Sequence, residues 1–346
     1  MYRISNKAKL IILIALCIGI VIGSVAIGTV RISVWDSVKI IFSQIPLLGK
    51  HISIEGIEPS YTVIVMSLRL PRILLALLAG MGLAASGCVY QGIFSNPMAD
   101  PYLIGISSGA ALGATISMLL PIPEKYLQYG PIGIFAFIGA LLVMVFVFSI
   151  SRHKGKLPAI TMILAGIAVN YFISSIIALL MLFNKEALES VYFWTLGSFK
   201  YANSFKIITL FVVVAISLII IQKYNQELNM IMLNEEQAIS LGVSTEKIKK
   251  KLLIISSLMV SLIVAFCGVI GFVGLIIPHG VRIIFGANHK ILIPASIFAG
   301  GGFTVFSDTL ARSILSNSEL SVGIITAIFG VPFFLLLIYK NKKSIA

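Results

Sequence analysis

Apolar runs long enough to cross a bilayer, ~20 residues at about 1.5 Å each, recur from Leu10 to Tyr339 and leave this chain few options. In hydrocarbon no water satisfies backbone N–H and C=O groups, so each run closes its hydrogen bonds within itself as a helix. Only 11% of the 346 residues are charged, against roughly 25% in soluble domains, and the mean hydropathy is +1.05. A net charge of +13 would point to nucleic acid in a soluble chain. In a membrane chain it is first a question of which side the basic residues occupy.

Ten segments emerge: Leu10–Val30, Thr62–Tyr90, a third opening at Gly105, Pro131–Ile150, Leu157–Phe183, Ile207–Ile221, Leu252–Val273, Gly274–Gly286, Ile291–Arg312 and Val322–Tyr339. Arg3, Lys7 and Lys9 before the first run imitate a signal peptide, but the run exceeds the roughly 7–15 residues of a signal core, so it reads as an uncleaved helix. Gly274–Gly286, interrupted by Pro278, reads as a short helix entering part-way. With both termini cytoplasmic, sixteen of the 26 lysines and arginines fall inside and ten outside, which favours this orientation. Arg31–Tyr61, with Pro46 and Pro59, and Asn184–Lys206, with Tyr192, Trp194 and Tyr201, then become external stretches, the second placed as an aromatic belt. The turn at Ser151–Lys156, with Arg152 and Lys154, is internal, as are Lys340, Lys342 and Lys343. Gly105, Gly109 and Gly113, spaced by four, lay a flat stripe along one helix for close backbone approach. The halves share a rhythm of long span, Gly-rich turn and small-residue helix, and the odd count of segments between matching parts makes any such repeat inverted.

The longest cytoplasmic interval, Gln222–Lys251, carries an amphipathic helix. Asn234 stands where an N-cap belongs, with Gln237 three places on as in a capping box, and Gly242 suits a left-handed C-cap, so Glu235–Leu241 is predicted helical. Ala238 and Leu241 share a face, with Ile231 and Leu233 upstream, and nothing on the chain is evident to bury them. Such a helix suits a groove on a partner. Its alternative, floating at the headgroups, is disfavoured by Glu227, Glu235, Glu236 and Glu246 beside an anionic leaflet.

Signals of chemistry are sparse. Cys17, Cys88 and Cys267 lie in apolar segments with no metal-ligand or disulfide spacing, and His51, His153, His279 and His289 are dispersed. Gly105-Ile106-Ser107-Ser108-Gly109 matches G-x-S-x-G, but a nucleophile elbow needs a strand-to-helix turn and triad partners. No G-x-x-x-x-G-K-[ST] phosphate loop occurs, so ATP hydrolysis would have to be borrowed. Asn170 can hydrogen-bond between helices, while Arg69, Arg72 and the Asp308/Arg312 pair are charges at span ends, the last two able to neutralise each other.

Several stretches together resemble the FecCD-type permeases of ABC importers for iron chelates, haem and cobalamin. They are RLPR at Arg69–Arg72, SGCVYQGIFSNPMADPYLIGISSGAALGA at Ser86–Ala114, LAGIAVN at Leu164–Asn170 and LNEEQAISLGV at Leu233–Val243, followed by GVIGFVGLIIPHGVR at Gly268–Arg282, SDTLAR at Ser307–Arg312 and GVPFF at Gly330–Phe334. The resemblance implies an all-α, polytopic fold of about ten transmembrane helices, an inverted-repeat type II permease forming a single transmembrane domain over 1–346 with its coupling helices within 228–245. It implies a non-enzymatic subunit that imports a metal chelate, a ferric siderophore first and haem or cobalamin next. It would bear no cofactor or metal itself, with ATP held on the partner ATPase.

By the same resemblance Leu233, Asn234, Glu235, Glu236, Ala238, Leu241 and Gly242 would couple to the ATPase. Arg69, Arg72 and Arg312 would meet an extracytoplasmic substrate-binding protein. Asn96, Pro97 and Met98 with Pro158 and Thr161 would form the cytoplasmic gate. Gly166 and Asn170 would line the translocation path between two permease copies in the cell membrane. Asn234 departs from the glycine common there, and as an N-cap it should preserve the helix. Nucleic acid is not an expected partner. The alternatives are an ion-coupled secondary transporter, disfavoured because the spans carry almost no carboxylate beyond Asp308, and an intramembrane hydrolase built on Ser107 and His279.

Overall fold

The computed structural model describes residues 5–44, 49, 52–121, 130–153, 156–315 and 318–342. Arg3, Pro46, His51, Lys154 and Lys343, singled out above, lie outside the described residues. Fourteen α-helical elements, two short 3-10 helices at Pro101–Ile104 and Lys185–Ala187, and no strand occur among the described residues. The fourteen are α1 Asn6–Ala26, α2 Val34–Ser43, α3 Pro59–Ile93, α4 Ile106–Leu119, α5 Pro131–Ser151, α6 Ala159–Phe183 and α7 Leu188–Thr195. The chain continues with α8 Ser204–Lys223, α9 Asn225–Leu233, α10 Glu235–Ser240, α11 Thr245–Cys267, α12 Val273–Phe285, α13 His289–Ala311 and α14 Val322–Lys342. Seven of these are long and apolar enough to span, and α4, α12 and α14 are shorter apolar helices, giving the ten segments expected.

Packing follows from side-chain size. Of the apolar window of α3, 78% is buried, whereas only 17% is buried in α1 and in α6. Helix α3 is therefore the axis of the bundle, with α8, α11, α12 and α13 against it. Small residues permit this. Gly80 and Gly300 face each other's backbone where α3 crosses α13, and a Cβ on Gly87 would collide with the Gly274 carbonyl of α12. The expected stripe behaves the same way, Gly109 and Gly113 lying against the backbone of α5 at Gly139 and Phe135. Because lipid is as apolar as leucine, such close approach is a main source of helix adhesion.

Two features go beyond the expected spans. Pro71 lies inside its helix, because α3 extends upstream to Pro59 through a π-helical stretch at Ile64–Arg69. Proline lacks an N–H and clashes with the carbonyl four residues back; the widened stretch, in which Leu70 N–H reaches Val65 O, carries the helix across that defect. The stretch 31–61 is also more than a loop. Ser33 accepts from Trp35 N and starts α2, whose Ile40 is fully buried while Trp35 stays exposed.

Candidate coupling helix, charge cluster and constriction

Helix α10 is capped at both ends as its residues dictate. Asn234 Oδ1 accepts from Gln237 N at 3.0 Å. Gly242, at φ +86°, takes the left-handed position. Val243 N then reaches Ala238 O at 3.0 Å and Gly242 N reaches Ile239 O at 2.9 Å, the paired bonds of a Schellman ending. The same geometry corrects the expected apolar face. Ala238 is 1% exposed and α10 packs against α9 and α11, so the helix does bury part of itself on its own chain. The open apolar surface is instead Leu233, Ile239 and Leu241, at 80%, 53% and 72% exposure. Of the acidic residues, Glu236 is exposed, whereas Glu235 pairs with Lys249 of α11.

The three arginines do not face outward. Arg69, Arg72 and Arg312 are all buried, and each is occupied by this chain. Arg69 Nη1 donates to Val25 O at 2.7 Å and Ala26 O at 3.0 Å, carbonyls at the end of α1, and its Nη2 donates to Val30 O in the segment beyond. Arg72 Nε lies 3.0 and 2.9 Å from the two oxygens of Asp308, and Nη1 lies 2.7 Å from Glu319 Oε2. Arg312 Nη2 donates to Ser24 O, and its Nε stands 3.8 Å from Asp308 Oδ2. The expected neutralisation of Asp308 by Arg312 is thus the looser contact. Burial makes the difference, since a carboxylate out of water needs a close, forked donor such as Arg72 provides. Glu319, in a polar stretch without helical spacing, gave no signal in the sequence.

At the foot of α3, Ser95 adopts φ +46° and Asn96 Oδ1 accepts from Met98 N at 2.9 Å, so the Asn96–Pro97–Met98 turn folds on itself. Pro158 caps α6 and Thr161 is exposed in its first turn. Among the described hydrogen bonds none joins this turn to Pro158 or Thr161 within one copy. Gly166 and Asn170 point towards their own chain. A Cβ on Gly166 would meet the Leu103 carbonyl, and Asn170 Oδ1 accepts from Ser108 Oγ at 2.6 Å, tying α6 to α4. The open face of α6 is formed by Ile160, Leu164, Tyr171 and Phe172. Ser107 and His279 share no hydrogen bond among the described residues, and Ser107 sits in the first turn of a helix that no strand precedes.

A profile of the FecCD transport family matches residues 12–340. The cobalamin import system permease of Halobacterium salinarum is 38% identical over 83% of this chain and 76% of its own length. The hemin transport system permease of Yersinia pestis is 36% identical over 81% and 84%, and the molybdate import system permease of Haemophilus influenzae is 36% identical over 86% and 87%. A solved structure described as an inward-facing metal-chelate type ABC transporter superposes with a TM-score of 0.80 at 31% identity, covering 97% of this chain and all of that one.

Proposed function

The chain belongs to the FecCD transport family, and from that premise we propose that it carries a ferric siderophore into the cytoplasm as one of two identical permease copies. It is the multi-pass permease component of an ABC importer of the iron-chelate, haem and cobalamin class, a family whose permeases work with an ATPase and a substrate-binding protein. What supports the ATP-driven part of this reading is α10, a helix fixed at both ends, with Ile239 and Leu241 exposed along it and Leu233 exposed at the end of α9 just before it. Exposed apolar anchors on a short, rigid helix suit a groove in a partner. A separate ATPase subunit would seat them and hold the ATP.

In this reading a loaded binding protein docks outside and closure of the ATPase pair rocks the two permeases. The path then alternates its open side. The exposed face of α6 would meet its counterpart in the second copy, and the 96–98 turn with Pro158 and Thr161 would narrow the inner mouth. The buried arginines would serve docking from beneath the surface, through Glu319, the exposed end of their cluster. An ion-coupled mechanism is less well supported, because Asp308 is engaged by Arg72 and Arg312 rather than free for a cation.

The test is accumulation of labelled ferric siderophores, haem and cobalamin by cells with and without this gene, repeated after ATP depletion with ion gradients clamped. ATP-dependent loss of ferric siderophore uptake alone is expected. Uptake that survives ATP depletion and follows an ion gradient would sink the reading.

A further inference from the structure

Four lysines stand close together at the start of α11, and one differs from the rest. Lys247, Lys250 and Lys251 are exposed, whereas Lys249 is 7% exposed. A buried ammonium costs several kcal/mol unless it is paired, and here two carboxylates pair it. Glu235, the first residue of α10, is in direct contact through Oε1. Glu246 Oε1 stands 3.9 Å away on the preceding turn. The second oxygen of Glu246 accepts the Leu157 backbone N–H at 3.2 Å, and Leu157 is the residue before Pro158, which caps α6. One buried charge therefore joins the coupling helix, α11 and the mouth of α6.

The pairing is unequal, which matters for what it can transmit. Lys249 Nζ is close to Glu235 and loose on Glu246, so a displacement of α10 relative to α11 would shift the ammonium between the two carboxylates and with it the grip of Glu246 on Leu157. We propose that Lys249 and Glu246 are the positioning residues that convey movement of α10 to the inner end of α6. The inference rests on the importer reading and assigns it a route.

The test uses the full complex with its ATPase in proteoliposomes, with nitroxides at Met98→Cys and Thr161→Cys reporting the distance across the constriction, so that no cargo need be known. With ATP and vanadate the otherwise unaltered complex is expected to show a distance shift. Lys249→Met is expected to lose that shift while ATP hydrolysis stays within about two-fold, less than the usual span of a coupling effect, and Lys249→Arg to regain it. Glu246→Gln, at a partly exposed side chain, is expected to lose the shift as well. A full shift in Glu246→Gln or in Lys249→Met overturns the route, as does a parallel loss of hydrolysis in Glu246→Gln. A complex without these changes that hydrolyses ATP but shows no shift also overturns it, while one that hydrolyses no ATP fails at the importer reading instead.

Discussion

Asp308 illustrates how far a single residue can be read from its neighbours in sequence. Its four-residue spacing to Arg312 is visible at once, and that contact exists at 3.8 Å. The closer partner, Arg72 at 2.9 Å, is 236 positions away, and no spacing rule reveals it. Removing the carboxylate would leave two buried guanidinium groups short of a counter-charge, so Asp308→Asn is expected to destabilise the protein by about 3–5 kcal/mol. Glu319 holds the same Arg72 from a side chain that is 40% exposed. Glu319→Gln should cost no more than about 1 kcal/mol. Thermal unfolding of both variants in detergent, against the unaltered protein, checks the contrast, and equal losses would contradict it.

At the scale of the element, the caps of α10 were legible because they depend on residues within one turn: Asn234 at one end, Gly242 at the other. Which face the helix buries was not, since that depends on how α9 and α11 pack against it. The distinction has a measurable form. Leu241→Asp changes a side chain that is 72% exposed, so the purified permease should keep its thermal midpoint while ATPase binding weakens at least about ten-fold, as for loss of an interface anchor. Ala238→Arg, by contrast, forces a charge into a closed seam and should destabilise the permease before any partner is added. Titration of ATPase onto each variant, beside its melting curve, separates the two. The π-helical stretch before Pro71 escaped the sequence for a similar reason: proline commonly opens helices, and only the packed length of α3 shows that this one is internal.

For the whole molecule, hydropathy alone yielded ten segments because the bilayer imposes a length that soluble folds do not. Ends were less sharp. Ile207–Ile221 lengthens to Ser204–Lys223 once Asn203 is seen to cap it, accepting from Lys206 N at 2.9 Å. Sidedness rests on the sixteen-to-ten distribution of basic residues. It predicts that, in intact cells, a membrane-impermeant thiol reagent labels a single cysteine at Glu186 and spares one at Ser240, with the pattern reversed in inverted vesicles; the native Cys17, Cys88 and Cys267 are buried and should stay silent. The end of α1 carries a further implication, for biosynthesis. Its last carbonyls are held by Arg69 and by Arg312, and Arg312 leaves the ribosome 288 residues after Ser24. The first helix made is thus among the last to be fastened. Until α13 arrives, Arg72 has no Asp308 to answer its charge, so a chain cut short before that point leaves this one arginine without the carboxylate that grips it most closely.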